Sequence, residues 1–173
     1  MRAIATLRDA STQDFPAIVQ LNLESVAFLS PLPFERLTAL HRQACYHRVA
    51  LCDGKLAAFL LALGPGADYD SPNYQWFAAR YADFVYIDRI VVGKAARGAG
   101  LATALYEDLL EHARLRGAAR VSCEFDTDPP NEASRVFHER MGFVEVGSQH
   151  VGASRKRVSL QELRLDTQTR ASS

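Results

Sequence analysis

The chain has 173 residues, 48% of them hydrophobic and 23% charged, a composition typical of one globular domain and unlike that of a disordered or membrane-spanning chain. Twenty acidic and twenty basic residues balance to a formal net charge of zero, which gives no reason to expect nucleic acid or a membrane as a partner. The three cysteines lack C-x-x-C spacing, which argues against a disulfide framework or a zinc site and favours a reducing, cytoplasmic setting.

Helical and strand-like patterns alternate in the first third of the chain. Residues 3–9 predict a strand, and the polar segment Ser11-Thr12-Gln13-Asp14 is typical of the cap of a helix that runs to about residue 26. A second helix is predicted to begin near Pro33.

A hairpin and a long loop follow. Residues 46–51 and 55–63 predict two strands, and Cys52-Asp53-Gly54 between them predicts a tight turn, because Asp-Gly favours hairpins. Residues 64–79 are predicted to form a long loop.

The second half continues the alternation. An apolar strand over 84–92 leads to a helix ending near Gly117, and the remaining elements are strands over 120–125, 143–146 and 158–165 with a short helix over 130–141. We expect one domain over 1–173, with a core of about 3–165 and a loose tail from Asp166.

A glycine-rich turn joins the strand over 84–92 to its helix. Gly98 and Gly100 can adopt backbone angles closed to other residues, and the first amides of the following helix have no partner within it, so the segment suits a pyrophosphate. The third glycine of the Rossmann fingerprint is missing, as is the Gly-Lys-Ser/Thr of a P-loop.

Two segments carry a family resemblance. Arg97-Gly98-Ala99-Gly100-Leu101-Ala102 resembles the Q/R-x-x-G-x-G/A signature of the GNAT superfamily of N-acetyltransferases, whose loop holds the pyrophosphate of acetyl-CoA. Residues 131–143 resemble the family's N-x-x-A-x-x-(L/F)-Y-x-x-x-G-F helix, which flanks the pantetheine arm. Ser134 replaces the usual alanine, and His138 replaces the tyrosine usually assigned as the acid that protonates the leaving thiolate.

The resemblance covers about residues 3–165 and points to a subgroup whose acceptors are undefined. It implies an α/β fold with a mixed, mostly antiparallel seven-stranded sheet, helices on both faces and a splay between the fourth and fifth strands. The implied activity is direct transfer of an acetyl group, within a ternary complex, from acetyl-CoA to a primary amine of a small molecule or peptide. No metal is implied, and pairing of terminal strands would allow a homodimer.

Two other functions stay open. A CoA-binding sensor or interaction module without turnover is favoured by the change at His138, and a nucleotide-binding regulator ranks last because the loop has the wrong fingerprint.

The resemblance assigns the cofactor to three segments. These are the fourth strand, the glycine-rich loop and the short helix, with candidate contacts at Ile90, Val91, Val92, Arg97, Gly98, Ala99, Gly100, Leu101, Ala102, Thr103, Asn131, Arg135 and Phe137. Asn131 is also suited to capping its helix, and Arg97 to being a solvated charge.

Acetyl transfer needs a base, because an alkyl amine has a pKa of about 10.4 and is protonated at neutral pH. Asp88 and Glu124 are the candidates; the alternatives are that Asp88 pairs with Arg89 or Arg120 and that Glu124 only faces solvent. His138 is the candidate acid, or else an exposed histidine on a short helix, and Tyr86 or Tyr106 could do the same job or be core aromatics. A backbone N–H near Ile90 is the candidate donor to the acetyl oxygen.

The acceptor pocket is predicted from aromatic residues. Aromatic faces with nearby acids suit a cationic amine, and the candidate wall residues are Glu24, Tyr69, Tyr74, Trp76 and Tyr86. The alternative is that Trp76, Phe77 and Tyr81 form a helical turn that anchors the loop to the core.

Overall fold

The computed structural model describes residues 5–153 and 156–166. Its strands are β1 Ala5–Asp9, β2 Ala44–Cys52, β3 Lys55–Leu63, β4 Val85–Val92, β5 Arg120–Asp128, β6 Val144–Val151 and β7 Lys156–Arg164. Its helices are α1 Phe15–Leu23, α2 Phe34–Gln43, α3 Pro72–Ala78, α4 Leu101–Leu115 and α5 Glu132–Met141. Within these residues the strands form a seven-stranded sheet in the order β1-β2-β3-β4-β5-β7-β6.

The sheet is mixed and mostly antiparallel, which confirms the predicted fold class. Antiparallel pairing joins β1 to β2, β2 to β3, β5 to β7 and β6 to β7. β4 and β5 are parallel, with Val85 opposite Val121 and Tyr86 opposite Ser122. The predicted splay between these two strands stays a prediction.

The predicted loop over 64–79 was wrong in part, because α3 occupies its second half. Ser71 caps this helix by accepting the Tyr74 N–H at 3.3 Å, and Pro72 at the first helical position has a backbone angle already suited to a helix. The alternative interpretation, a helical turn of Trp76, Phe77 and Tyr81, is confirmed for Trp76 and Phe77, whereas Tyr81 lies beyond the end of the helix.

Strand β6 continues to Val151, well beyond the predicted end at residue 146. A register shift between Glu145 and Gly147 lets β6 stay paired with β7 although its apolar pattern stops. Residues 3 and 4 of the predicted first strand, and residues 167–173 of the tail, lie outside the described residues. Among the described helices, none is long and apolar enough to cross a bilayer.

The chain divides into two compact units. Unit 1 is Met1–Asp68 with Ile87–Leu109, and unit 2 is Tyr69–Tyr86 with Leu110–Ser173. Both β4 and α4 contribute residues to each unit. The expectation of one domain over 1–173 stays a prediction.

Helix α1 of unit 1 begins at a capped turn, as its sequence predicted. The Asp14 carboxylate accepts the Ser11 backbone N–H at 2.8 Å and the Arg8 guanidinium at 2.7 Å. The bond from Arg8 is the main reason that the pKa of Asp14 falls to about 2. Behind this cap, Ile18 and Leu37 are fully buried, so α1 and α2 share the core of the unit.

A pair of histidines, His41 and the buried His47, joins α2 to β2 in unit 1. Nδ1 of His41 lies 2.8 Å from Nδ1 of His47, a contact that allows one hydrogen between the two nitrogens. His47 is 8% exposed, and its Nε2 has no hydrogen-bond partner within the described residues. Burial, with a smaller contribution from His41, lowers the pKa of His47 to about 4.

The opposite faces of β5 in unit 2 carry different groups, because side chains alternate along a strand. Ser122 and Glu124 share a face with Tyr86, the cross-strand partner of Ser122. Phe125 points to the other face, where the His138 ring of α5 stacks on it with centroids 5.6 Å apart.

Helix α3 lies against the Tyr86 face. The rings of Tyr74 and Phe77 contact the Tyr86 ring at centroid distances of 5.5 and 5.9 Å. The Trp76 indole lies over Gly147 of β6 so closely that a Cβ built on Gly147 would meet it at 2.6 Å. Glycine at position 147 is therefore required by the packing of α3.

We expect His47 to make folding stability depend on pH. Its pKa is about 4 when folded and about 6.5 when unfolded, so between these values the unfolded chain binds the additional proton. The free energy of unfolding should therefore fall by about 2 to 3 kcal/mol as the pH drops from 7 to 4.5. Urea unfolding at both pH values should show a smaller drop for His47→Phe, while His150→Gln, at an exposed position on β6, should keep the wild-type drop. An unchanged drop in His47→Phe would contradict the assignment.

Alanine substitutions of two buried serines in unit 2 should change the free energy of unfolding in opposite directions. Ser122 Oγ has no hydrogen-bond partner within the described residues, whereas Ser159 Oγ bonds Glu145 and accepts from Gln161 at 2.6 Å. Ser122→Ala should raise the free energy of unfolding by about 1 kcal/mol, and Ser159→Ala should lower it by about 1 kcal/mol or more. Urea unfolding of both variants would measure the two free energies of unfolding. An equal loss of stability in both variants would contradict the prediction.

Candidate functional site

The end of β4 in unit 1 leads into the predicted anion-binding loop. The Gly93 N–H donates to the Ala57 carbonyl at 2.8 Å, and a Cβ on Gly93 would lie 2.9 Å from the Leu21 side chain, so the chain turns here under close packing. After a 3-10 turn over Lys94–Ala96, Gly98 and Gly100 have φ angles of +80° and +79°. These angles explain the two glycines.

Helix α4 begins directly after Gly100. Its first turn is closed by the bond from the Ala104 N–H to the Gly100 carbonyl, so the amides of Leu101, Ala102 and Thr103 have no earlier carbonyl within the helix. A Cβ on Gly98 or Gly100 would meet no heavy atom within 4 Å. Open space, unpaired amides and the positive end of a 15-residue helix suit a pyrophosphate.

Other predicted contacts of unit 1 lie close to this loop in the chain. Arg97 and Ala99 are exposed, and Ile90 and Val92 are partly exposed on either side of the buried Val91. Their assignment to the cofactor stays a prediction.

Asp88 forms a buried ion pair with Arg89, one of the two alternatives that its sequence left open. The Arg89 Nε donates to the Asp88 carboxylate at 2.6 Å, and both side chains are less than 5% exposed. Nη1 of Arg89 also donates to the Asn22 side chain at 2.9 Å and to the Ser30 carbonyl at 3.0 Å. The Asp88 charge is therefore used to neutralise a cation that is saturated with hydrogen bonds.

Arg89 was missed as an organising residue. It fixes the segment after α1, where Val26 and Phe28 are about half exposed. Glu24, a predicted wall residue on the same segment, is exposed and accepts the Lys94 N–H at 3.2 Å. The available signal was an Asp-Arg pair inside an apolar strand, because charges are rarely buried there without a partner.

Glu124 of unit 2 is held by a phenol. The Tyr86 hydroxyl lies 2.9 and 2.8 Å from the two Glu124 carboxylate oxygens. Tyr86 is fully buried, while Glu124 is partly exposed. Two residues predicted for different roles, one for the acceptor wall and one for the base, are thus in direct contact.

His138 is buried on α5, contrary to the alternative of an exposed histidine. Its Nδ1 lies 2.7 Å from the Ser134 carbonyl oxygen, which can only accept, so Nδ1 carries the hydrogen. Burial lowers the pKa of His138, which favours a neutral ring at pH 7. Its ring also contacts Phe143 at a centroid distance of 5.3 Å.

The other α5 candidates have local partners. Asn131 caps the helix by accepting the Ser134 N–H at 3.2 Å. Arg135 pairs with Glu132 and Glu139 on the same helix, and Phe137 contacts the His138 ring edge-on. Their roles toward a cofactor stay predictions.

Most of the aromatic candidates are part of the core of unit 2. Tyr69 and Tyr74 are buried, with ring centroids 5.7 Å apart. Trp76 is partly exposed, and the Arg80 guanidinium lies 3.8 Å from its ring centroid. Trp76 therefore has the most accessible ring of the predicted aromatic wall.

Solved structures with the same fold include proteins that are described as acetyltransferases. The ribosomal-protein-S18-alanine N-acetyltransferase of Escherichia coli is 18% identical, with 98% of this chain and 99% of that chain covered at a TM-score of 0.74. Ard1 of Thermoplasma volcanium is 18% identical over 93% and 97%, with a TM-score of 0.76. A structure of yncA from Salmonella typhimurium with its cofactor acetyl-CoA is 20% identical over 95% of each chain, with a TM-score of 0.72. At these identities the likeness is one of fold.

Sequence comparison assigns the family. No curated protein sequence matches the chain. The sequence model of the acetyltransferase (GNAT) family matches residues 5–143, which include the glycine-rich loop and most of the elements described above. The chain therefore belongs to the acetyltransferase (GNAT) family.

Proposed function

We propose that this protein is an acetyl-CoA-dependent N-acetyltransferase that acts on a primary amine of a small molecule or peptide. The observation that carries the proposal is the open loop at the start of α4, where Gly98 and Gly100 keep side chains away from unpaired helix amides. Acetyl-CoA supplies an activated acetyl thioester, and its pyrophosphate is the group that this loop suits.

The reaction joins two substrates in one ternary complex. The amine nitrogen attacks the thioester carbonyl, the C–S bond breaks, and the products are an N-acetyl amide and the free thiol of CoA. The amine must lose a proton that the thiolate finally gains, so the protein has to accept one proton and return another. The β4 backbone near Ile90 is the proposed donor to the carbonyl oxygen.

Glu124 is the better candidate for the base. If Asp88 took up a proton, the buried Arg89 cation would lose its counter-charge, which is costly in a buried site. Glu124 is partly exposed and accepts a hydrogen bond from the neutral Tyr86 hydroxyl. Protonation of Glu124 would therefore leave no cation of this hydrogen bond without a counter-charge. Asp88 is better suited to neutralising Arg89.

His138 is a weaker candidate for the acid than its sequence position implied. Its Nδ1 hydrogen is engaged by the Ser134 carbonyl, and burial favours the neutral ring. Glu124 lies on one face of β5, whereas His138 of α5 packs against Phe125 on the other face. The two residues would therefore act on different steps: Glu124 would accept the proton of the amine, and His138 would protonate the thiolate.

A CoA-binding sensor is the second candidate function. The observation that favours it is the buried, neutral His138 in place of the tyrosine that the family resemblance would put there. Such a protein would bind acetyl-CoA and release no thiol.

The loop assignment predicts a selective loss of cofactor binding. Gly100→Glu should weaken acetyl-CoA binding by at least about 10-fold in a calorimetric titration, because it adds a negative charge where the pyrophosphate would lie. Gly66→Glu is the matched control, because Gly66 has the same φ of +79° and the same open surroundings outside the loop. Both variants should lose about 1 kcal/mol of stability from the strained φ, and only Gly100→Glu should lose binding. Equal affinities in the two variants would refute the loop as the binding site.

The base assignment predicts a loss of turnover without loss of binding. Thiol release from acetyl-CoA would be screened with a peptide bearing an N-terminal alanine, an N-blocked lysine peptide and an aliphatic diamine. Glu124→Gln should lower kcat by about 100-fold on the best acceptor and leave the acetyl-CoA Kd unchanged. Glu111→Gln, at an exposed position of α4, is the control and should keep full activity. Full activity in Glu124→Gln would remove Glu124 as the base, and binding without thiol release on any acceptor would favour the sensor.

A further inference from the structure

Tyr86 is an unusual residue for a substrate wall, because none of it is exposed. It lies on β4, its Cα partner on β5 is Ser122, and Tyr74 and Phe77 of α3 contact its ring. Ring packing from α3 on one side and strand pairing on the other fix the position of the phenol. Its hydroxyl therefore has a defined place in the unit.

That hydroxyl is directed to Glu124. The two oxygen–oxygen distances of 2.9 and 2.8 Å are nearly equal, so one phenol hydrogen is shared between both carboxylate oxygens. The Ser122 hydroxyl, on the same strand face, has no hydrogen-bond partner among the described residues. Tyr86 thus binds the carboxylate two residues further along β5 rather than its direct cross-strand neighbour.

We propose that Tyr86 is a positioning residue that holds the Glu124 carboxylate in its base form and in one orientation. This inference rests on the proposed function, because it assigns a partner to the proposed base. A hydrogen bond donated to the ionised form of an acid favours that form. Anchoring through a buried ring also costs little reorganisation when the base acts.

The chemistry of a phenol suits a group that must change protonation state. A hydroxyl can donate to a carboxylate and can accept from a carboxylic acid, so Tyr86 can remain bonded to Glu124 before and after proton uptake. A guanidinium has donors only, so the O–H of a protonated carboxyl finds no acceptor on it and the attraction between opposite charges is lost. Asp88 is bonded to a guanidinium, that of Arg89, whereas Glu124 is bonded to a phenol, that of Tyr86.

The neighbouring acids on this part of the sheet are paired with cations. Asp126, two residues after Glu124, accepts from Lys156 at 3.1 Å. Glu162, opposite Ser122 on β7, lies 3.2 Å from both Arg120 and Arg164. The carboxylates of Asp126 and Glu162 thus have cationic partners, whereas the Glu124 carboxylate is bonded to a phenol.

The test compares Tyr86→Phe with Tyr46→Phe. Tyr46 is also buried and donates to a carboxylate, Asp108, at 2.6 Å in unit 1, so its variant removes the same kind of bond outside the proposed site. Turnover would be measured as thiol release from acetyl-CoA with the best acceptor of the screen, over a range of pH. In Tyr86→Phe the acid limb of the kcat/KM profile should move up by about 1 pH unit, and kcat at pH 7 should fall by about 10-fold. The acetyl-CoA Kd should stay unchanged, and Tyr46→Phe should keep the wild-type profile.

A second readout needs no turnover. The Glu124 carboxyl would be followed by carbon-13 NMR during a pH titration, its signal assigned by its absence in Glu124→Gln. Its titration midpoint should rise by about 1 pH unit in Tyr86→Phe and stay unchanged in Tyr46→Phe. If Tyr86→Phe does not fold, Glu124→Asp replaces it, because the shorter side chain withdraws the carboxylate from the phenol and should raise the midpoint of the new carboxyl above that of an exposed aspartate.

The outcomes separate the two proposals. A raised midpoint together with a shifted acid limb supports the positioning role. A midpoint and a profile equal to those of the wild type would show that Tyr86 only packs, and would overturn the inference while leaving the proposed function intact. Thiol release that is absent even in the wild type would instead refute the proposed function.

Discussion

The buried Arg89 guanidinium is the constraint on which the organisation of unit 1 around β4 depends. A cation with 3% exposure is tolerable only if its charge is balanced and its donors are used, and Asp88, Asn22 and Ser30 together meet both needs. Because Asn22 lies in the last turn of α1 and Ser30 lies in the segment before α2, the Arg89 side chain fixes that segment against β4. The same pairing gives the Asp88 carboxylate a structural partner in this segment.

The two carboxylates predicted as candidate bases, Asp88 of unit 1 and Glu124 of unit 2, thus have different hydrogen-bond partners. Asp88 is paired with the Arg89 cation, and both side chains are buried. Glu124 is bonded to a phenol and is reachable from solvent, which allows it to gain and lose a proton. When two acidic residues of one protein have different chemical roles, the difference commonly follows from such differences in environment.

Local patterns predicted most of the fold. The glycine-rich turn, the Asp-Gly hairpin and the cap before α1 each depend on backbone geometry that specific residues select, and all three are present. Helix α3 and the second half of β6 were missed because they are stabilised by tertiary contacts, Trp76 over Gly147 and the pairing with β7. For the site, sequence nominated Glu124 and Tyr86 separately, but their contact depends on the parallel register of β4 and β5, which no local pattern encodes. The burial of His138 likewise depends on Phe125 and Phe143, which come from other elements.

The glycine at position 147 has a consequence for evolution at this fold's edge strand. A single added methyl group there would meet the Trp76 indole at 2.6 Å, so α3 would have to shift, and with it the Tyr74 and Phe77 rings that fix the Tyr86 ring. A change on β6 would thereby reach the Tyr86–Glu124 hydrogen bond through the packing of α3. Lineages that replace this glycine are therefore expected to carry a compensating smaller residue at position 76.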